Sequence, residues 1–347
     1  MPTFTPDYLR QVGRDLFHAC GASAEEAALV ADDLVEASLM GLESHGVTRY
    51  IWYAQEVLAG HIRPGGTFRI VKETPTTAVA DCGLNFGLVS ARRVVDLAEQ
   101  KARASGVACV LTQNCHHVGR LGTHPQRLAE RGLVSLAFAN SVKSGHFVVP
   151  FGGREGRLAP NPLAFGAPAP GNPIVLDMST SMIAEGKIRV LMHAGQPLPA
   201  GAIIDAEGQA STDPHGFYGP PRGYILPFGS PDLGYKGTGL AIMVEILAGI
   251  LSGATSISDL PHINGFCLIA IDPDAFCGRE RFAALIQELS DYITGTPPVP
   301  GHPGVVMPGG LDFARRAQRL QSGIPLSDQT WRLIGEVAGK VGLSLAN

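Results

Sequence analysis

The sequence predicts an α/β fold, close to the α+β type, with a mixed β-sheet, an N-terminal helical region and C-terminal helices. Residues 5–60 carry helical periodicity with capping residues at the helix starts. Between residues 67 and 139, short apolar runs alternate with helical stretches, a rhythm typical of a sheet covered by helices. Helical patterns return at residues 279–294 and 327–341, which predicts helices near the C-terminus.

The N-terminal helical region, residues 1–65, is predicted to contain three helices. Thr5 is the N-cap of the first helix, with Pro6 at the first helical position. Residues 23–26 start the second helix, whose Ala-, Leu- and Val-rich pattern continues to about Met40. A third helix is predicted over 47–58, so the segment Ser44-His45-Gly46 forms the junction between two helices.

The central region, residues 66–310, is predicted to be the mixed-sheet core that binds cofactor and substrate, and 311–347 a C-terminal helical region that packs back on it. Strands are predicted at 67–82, 107–112, 133–139, 174–177 and 266–271, and helices at 88–105, 125–130, 239–251 and 279–294. Residues 150–173 are rich in Gly and Pro and are interpreted as loops and edges. Residues 193–233 are interpreted as a long ordered excursion, because four aromatic residues give it side chains to bury: Phe217, Tyr218, Tyr224 and Phe228.

Composition restricts the partners and the compartment. The net charge of −4 and the absence of a basic run argue against nucleic acid and anionic membranes as partners. None of the six cysteines forms a C-x-x-C pair, and no apolar leader is visible after Met1, so we expect a reduced, cytoplasmic protein. The longest apolar stretch, 239–254, contains Glu245 and falls short of a membrane span, which predicts a buried helix.

Two histidine-bearing segments, 44–50 and 114–119, carry the most informative chemistry. Histidine is suited to moving protons near neutral pH, and the planar fork of arginine fits a carboxylate. His45 lies beside Ser44 and Arg49, and Arg49 falls in the first turn of a predicted helix, where anions are favoured. A proton carrier beside a carboxylate clamp is what an enzyme of 2-hydroxy or 2-keto acids needs. Cys115 beside a histidine has no further signature of a cysteine nucleophile.

Several general motifs are absent from the sequence. No G-x-G-x-x-G, P-loop or G-x-S-x-G sequence occurs, which argues against a Rossmann dinucleotide site, a P-loop NTPase and an α/β-hydrolase.

Nine segments together resemble the malate/L-lactate dehydrogenase family of the second type, which includes ureidoglycolate, sulfolactate and diketogulonate dehydrogenases and Δ1-piperideine-2-carboxylate reductases. The matching segments are 41–50, 114–119, 138–141, 150–153, 161–165, 175–181, 234–237, the helical stretch 240–254 and 308–309. They follow one order over nearly the whole chain, which makes the set specific although each segment alone is weak.

The resemblance implies a non-Rossmann nicotinamide-binding fold, NAD or NADP as cofactor, and a homodimer. It implies that His117 is the acid/base on the substrate oxygen or nitrogen. Ser44, His45 and Arg49 match positions around the substrate and the nicotinamide, with Arg49 on the carboxylate and Tyr53 lining the pocket. The positions that match cofactor-contacting segments are Ser141, Asp177, Met178, Ser179, Lys236, Pro308 and Gly309. No metal is implied.

Departures and alternatives stay open at this point. His116 stands where relatives usually carry Asn or Ser, so either histidine can be the acid/base. Ala159-Pro160 and Gly310 also depart from the family pattern, in segments linked to the cofactor. Asp177 is also a candidate helix N-cap. The leading function is hydride transfer at C2 of a small 2-hydroxy or 2-oxo acid; the alternatives are a cyclic-imine reductase and a non-catalytic ligand-binding relative.

Overall fold

Capping residues begin the N-terminal helices where the sequence predicts them. In a computed structural model, which describes residues 2–193, 195–254, 257 and 263–345, the Thr5 hydroxyl accepts a hydrogen bond from the Tyr8 N–H at 3.3 Å. Ser23 and Glu26 form a reciprocal capping box at the second helix. The described helices are α1 Pro6–Ala19, α2 Ala24–Leu39, α3 Arg49–Leu58, α4 Gly87–Ser105, α5 Thr123–Glu130, α6 Glu185–His193, α7 Pro214–Tyr218, α8 Gly234–Val244, α9 Arg279–Thr294, α10 Gly310–Ser322 and α11 Asp328–Lys340.

The central sheet has seven strands in the order β2-β3-β4-β11-β5-β6-β7, and only the β3–β4 pair is parallel. The mixed sheet predicted from the sequence is therefore confirmed, and it differs from the parallel sheet of a Rossmann domain. The described strands are β1 Thr3–Phe4, β2 Arg69–Glu73, β3 Thr77–Asp81, β4 Val107–Gln113, β5 Val134–Ala139, β6 Leu163–Ala167, β7 Ile174–Met178, β8 Ile203–Ile204, β9 Ala210–Ser211, β10 Tyr224–Ile225, β11 Phe266–Ile271 and β12 Ile324–Pro325.

Helices cover both faces of the sheet. Helices α4 and α5 pack on one face, against Ala137 and Leu268, and α8 packs on the other, against Phe138 and Cys267. A separate apolar core joins α1, α2, α3 and α11, and the strand pair β1–β12 joins the two ends of the chain. The boundaries proposed for the three regions remain a prediction.

The helix predicted to be buried is exposed along one side, which corrects that expectation. Ala241, Val244 and Ala248 are buried, whereas Ile246 is 48% and Ile250 57% exposed. The helix begins at Gly234 and continues after Val244 as a π-helical turn, Glu245–Gly249. By length and composition alone, the helical stretch Gly234–Ser252 is long and apolar enough to cross a membrane, a test that core helices of soluble proteins also pass.

Strand β6 and helix α6 are among the elements that the sequence did not predict. Strand β6 lies inside the Gly- and Pro-rich segment that was interpreted as loops and edges. Its glycine, Gly166, lies where α5 packs so closely on the sheet that a side chain would not fit, so here glycine belongs to a strand. Helix α6 precedes the excursion and was not predicted. The excursion itself is structured, with β8, β9, β10 and α7 around a buried Phe217, but Phe228 is 47% exposed and does not contribute to a core.

Candidate active site

A tight turn between α2 and α3 presents Ser44, His45 and Arg49. The Ser38 hydroxyl accepts a hydrogen bond from the Val47 N–H at 2.9 Å, which fixes the turn against α2. Ser44 Oγ lies 2.9 Å from His45 Nδ1, so the two side chains are held together. Arg49 is the first residue of α3 and its Nε donates to the Ser44 carbonyl at 2.6 Å. This ties the arginine to the turn, and in the described part of the chain no hydrogen bond is made by its terminal nitrogens.

The second histidine segment leaves the sheet just after β4. Asn114 has φ +49°, and its amide donates to Asp81 at 3.0 Å, which turns the chain out of the strand. Gly87, at the start of α4, packs directly against the backbone of His116 and His117: a Cβ there would lie 2.1 Å from the His116 carbonyl oxygen. Glycine is required at this position because any side chain would displace the histidines.

One face of α3 contacts both of these histidines. Trp52 lies one turn after Arg49, with the guanidinium 5.1 Å from its ring centre. The same indole packs on His116 at 5.2 Å and edge-on to His117 at 5.5 Å. Tyr53, the next residue, places its hydroxyl 2.7 Å from His117 Nδ1. The helix therefore carries the carboxylate candidate and the supports of the histidines on one face.

The two adjacent histidines lie in different environments. His116 is 1% exposed, and its Nε2 lies 3.4 Å from the Glu56 carboxylate, within α3 and behind the site. His117 is partly exposed, and its ring stacks on His45 with centroids 5.5 Å apart. His117 is thus the more exposed of the two and is the one whose ring stacks on His45.

Burial and nearby cations keep the stacked histidines neutral. Burial, and then the Arg49 and Arg120 guanidinium groups, lower the pKa of His45 to about 3. The pKa of His117 is also lowered, first by burial and then by Arg49, His45 and His116. An anion bound to Arg49 would remove part of this repulsion, so a carboxylate ligand favours the protonated form of His117.

A buried arginine that the sequence did not point to, directly after the second histidine segment, connects that segment to β7 and α10. Arg120 is 4% exposed; its Nε lies 3.8 Å from Asp177 on β7 and its Nη2 3.6 Å from Asp312 on α10. Asp177 also accepts a hydrogen bond from the Gly122 N–H at 2.7 Å. Asp177 is thus held by Arg120 and by Gly122, two residues further along the chain. Burial raises the pKa of Asp177, and Arg120 opposes this shift.

The residues predicted to contact the cofactor fall into two groups. In the first, Pro308 accepts a hydrogen bond from the Val175 N–H at 3.1 Å, which brings Pro308 and Gly309 beside the strand that carries Asp177 and Met178. Ser179 follows this strand and donates to the Ser181 carbonyl. In the second, Ser141 follows Asn140, whose amide donates to Glu245 at 2.7 Å, and Glu245 follows directly on the helix that begins near Lys236. In the part of the chain that the structure describes, no hydrogen bond, ion pair or ring contact joins Ser141 or Lys236 to His117.

Helix α6 closes one side of the site. A Cβ added at Gly186 would lie 2.5 Å from the Ser44 Cβ, so this helix touches the turn that carries His45. Glu185 accepts hydrogen bonds from the Tyr218 hydroxyl at 2.7 Å and from Arg189 at 2.6 Å. Through α6 the excursion reaches the site, a placement for which the sequence gives no signal.

The sequence did not predict three further residues of the site: Arg120, Trp52 and Glu56. For Trp52 and Glu56 a signal exists: with Arg49 and Tyr53 they follow the i, i+3, i+4, i+7 spacing of one helix face. Among the described residues, no group of three His, Cys, Asp or Glu side chains is arranged to hold a metal.

Comparison with known proteins identifies the class to which the chain belongs. Residues 4–334 match the family model described as malate/L-lactate dehydrogenase. The chain is 35% identical to an L-lactate dehydrogenase of Cupriavidus necator, over 97% of both chains. The fold matches the sulfolactate dehydrogenase of Methanocaldococcus jannaschii with a TM-score of 0.88 and 31% identity, covering 99% of this chain and 98% of that one. It matches a Δ1-piperideine-2-carboxylate reductase of Pseudomonas syringae with a TM-score of 0.85 and 30% identity, covering 97% and 100%.

The chain is an oxidoreductase with a dehydrogenase fold. It belongs to the malate/L-lactate dehydrogenase family, as the sequence segments predict. Membership implies a nicotinamide cofactor, and the residues present fit such a group. Lys236 is exposed in the first turn of the 11-residue helix α8, where the helix dipole favours an anion such as phosphate, and Ser141 and Ser179 are partly exposed.

Proposed function

We propose that this protein transfers a hydride reversibly between NAD or NADP and C2 of a small 2-hydroxy or 2-oxo acid. The observation that carries the proposal is the pairing of a partly exposed His117, stacked on His45, with Arg49 on the adjoining turn. The nicotinamide supplies or accepts the hydride when it is bound. Side chains of this protein supply the other requirements of the reaction: a carboxylate anchor, a proton donor and a pocket wall that excludes water.

Each site residue then has one role. Arg49 binds the substrate carboxylate and sets the distance from C2 to His117. His117 gives a proton from Nε2 to the developing oxygen during reduction and takes it back during oxidation. Ser44 and His45, linked at 2.9 Å, hydrogen-bond the substrate or the carboxamide. Asp177, Met178, Ser179, Pro308 and Gly309 form one side of the cofactor site, and Ser141 and Lys236 the other.

A cyclic-imine reductase is the second candidate. It is supported by the likeness to the reductase of Pseudomonas syringae over 97% of this chain. A cyclic 2-imino acid needs the same carboxylate anchor, and its nitrogen takes the proton in place of oxygen. A ligand-binding protein without turnover remains a third candidate, although Ser44, His45, Arg49 and His117 are all present.

One assay separates the candidates. NADH and NADPH oxidation is followed by absorbance against pyruvate, oxaloacetate, other 2-keto acids and the cyclic imines, in ammonia-free buffer. Turnover of a keto acid supports the first function, turnover of imines alone supports the second, and cofactor binding without any turnover supports the third.

The role of His117 is tested on whichever substrate is turned over. We expect His117→Ala to lower turnover by roughly 10²- to 10⁴-fold while cofactor affinity stays nearly constant, since only the proton donor is removed. His18→Ala is the control, because His18 is exposed on α1 and its Nδ1 lies 2.9 Å from the Ala22 carbonyl oxygen. Unchanged turnover in His117→Ala would contradict the assignment.

The partner and the compartment also remain proposals. We propose a homodimer. The proposal is supported by an exposed apolar stripe along the helical stretch Gly234–Ser252, where Ile242, Ile246 and Ile250 are 48%, 48% and 57% exposed. A soluble, cytoplasmic enzyme that binds a small carboxylate, and neither nucleic acid nor a membrane, is consistent with the net charge of −4.

A further inference from the structure

We propose that Tyr53 is a positioning residue that selects the tautomer of His117, and that it does not line the substrate pocket. The inference rests on the proposed acid/base role of His117 and replaces the role expected for Tyr53 from the family resemblance. Tyr53 is 1% exposed, and the hydrogen bonds of its hydroxyl are made to His117.

The contacts around His117 Nδ1 define a choice between two arrangements. The Tyr53 hydroxyl lies 2.7 Å from Nδ1 and 3.3 Å from the carbonyl oxygen of the same histidine. The Gly119 N–H points at Nδ1 from 3.2 Å. A neutral imidazole carries its proton on one nitrogen, so Nδ1 either accepts from these donors or donates to the tyrosine oxygen.

The proposed reaction requires the second arrangement. During reduction, the imidazolium loses its Nε2 proton to the substrate oxygen as the hydride reaches C2, and the neutral ring left behind carries its proton on Nδ1. During oxidation, the free electron pair on Nε2 takes the alcohol proton. A ring protonated on Nε2 has no electron pair there and cannot act as the base.

The tyrosine hydroxyl can serve the productive form because it has two partners. When Nδ1 donates to the Tyr53 oxygen, the Tyr53 hydrogen is donated to the His117 carbonyl oxygen. The Gly119 N–H favours the opposite tautomer, since it can only donate. Without the tyrosine hydroxyl, this backbone donor alone decides, and His117 is held in the form protonated on Nε2.

The remaining neighbours of His117 favour a neutral ring without choosing its tautomer. They are Arg49 on the adjoining helix, His45 stacked on one face, and His116, whose own partner is Glu56. Trp52 packs edge-on to the ring, with an interplanar angle of 83°, and fixes its orientation. Of the contacts made to Nδ1, the Tyr53 hydroxyl is thus the one that can accept its proton.

The test compares Tyr53→Phe with Tyr50→Phe. Tyr50 lies on the same helix, is 0% exposed, and donates its hydroxyl to the Leu9 carbonyl at 2.8 Å, so its variant loses a similar hydrogen bond away from the site. Nitrogen-15 spectra of histidine-labelled enzyme report the tautomer, with His117→Gln to assign the signals. We expect neutral His117 to carry its proton on Nδ1 in wild type and Tyr50→Phe, and on Nε2 in Tyr53→Phe.

Turnover should follow the tautomer. We expect Tyr53→Phe to lose up to roughly 10⁴-fold in both directions, by analogy with an enzyme whose histidine is held in the wrong tautomer, and to bind cofactor as wild type does. A wild-type spectrum with the proton on Nε2 would overturn the proposal, and this result needs no variant to fold. Equal losses in the two tyrosine variants would also overturn it. Full turnover in His117→Ala would reject the proposed function instead, while the spectra would still report the Tyr53 contact.

Discussion

Replacing Arg120 with methionine tests the buried ion network that joins the histidine loop to Asp177 and Asp312. The distances of 3.8 Å and 3.6 Å correspond to about 4–5 kcal/mol of attraction each at an effective dielectric constant of about 20. Most of this attraction offsets the free-energy cost of removing the charges from water. Breaking a buried ion pair costs about 3–5 kcal/mol of stability, because a buried charge is left without a partner. The Asp177 side chain retains 20% exposure, so we expect a loss near the lower limit, about 3 kcal/mol.

The loss should depend on pH in a defined direction. Burial already raises the pKa of Asp177, and removing Arg120 takes away the cation that lowers it. In the variant the folded state therefore binds a proton more readily than the unfolded chain does. The destabilisation is small at pH values below the raised pKa, where Asp177 is neutral, and grows as the pH rises through it. Urea unfolding at pH 5 and pH 8 measures this difference.

Two further variants make the result decisive. Asp177→Asn in the Arg120→Met background removes the unpaired charge, so the double variant should be more stable at pH 8 than Arg120→Met alone. Arg131→Met is the matched control: Arg131 lies 2.8 Å from Asp96 and 2.6 Å from Glu99, closer than Arg120 to its partners, but it is 29% exposed. We expect a loss of about 1 kcal/mol or less for it. Equal losses for both arginines, or additive effects of Arg120→Met and Asp177→Asn, would refute the reasoning.

Two other predictions concern turnover and assembly. Because burial, Arg49, His45 and His116 lower the pKa of His117, kcat/KM for reduction should decrease as the pH rises through a value below 6.5. The corresponding decrease in kcat should lie at higher pH, since a bound carboxylate offsets the charge of Arg49. A decrease in kcat/KM that begins only above pH 7 would contradict this expectation. Ile246→Glu should place a charge in the proposed dimer contact and shift the mass measured by sedimentation equilibrium from about twice 36.5 kDa to that of one chain, and a wild-type monomer would reject the dimer.

Local signals in the sequence predict most of the elements near the site. The caps at Thr5 and Ser23 mark helix starts because their hydroxyls satisfy free backbone N–H groups, and the structure uses both. Strand β4 is a short apolar run, and the turn that follows it has asparagine at the position with positive φ, so both have a clear local signal. By contrast, β6 and α6 carry weak local patterns, and their formation depends on packing against α5 and on the turn at Ser44.

The candidate site was predictable in parts for the same reason. His45, Arg49 and His117 lie in short segments whose composition is unusual in an apolar chain. The choice between His116 and His117 depends on which ring faces solvent, and adjacent residues do not reveal that. Arg120 interacts with Asp177 and Asp312, 57 and 192 positions along the chain, through contacts that no local pattern records.

The position of Tyr53 links the proposed chemistry to the N-terminal helical core. Phe17 lies 5.4 Å from the Tyr50 ring, 5.7 Å from Phe86 and 6.5 Å from Tyr53, so one buried aromatic group supports α3 and the segment that precedes α4. Helix α3 carries Arg49 and Tyr53, and α4 begins at Gly87, against the carbonyl oxygens of both histidines. A shift of about 1 Å is enough to weaken orientation at a reacting centre, so packing around Phe17 is expected to set the distance between Arg49 and His117, the proposed carboxylate anchor and proton donor.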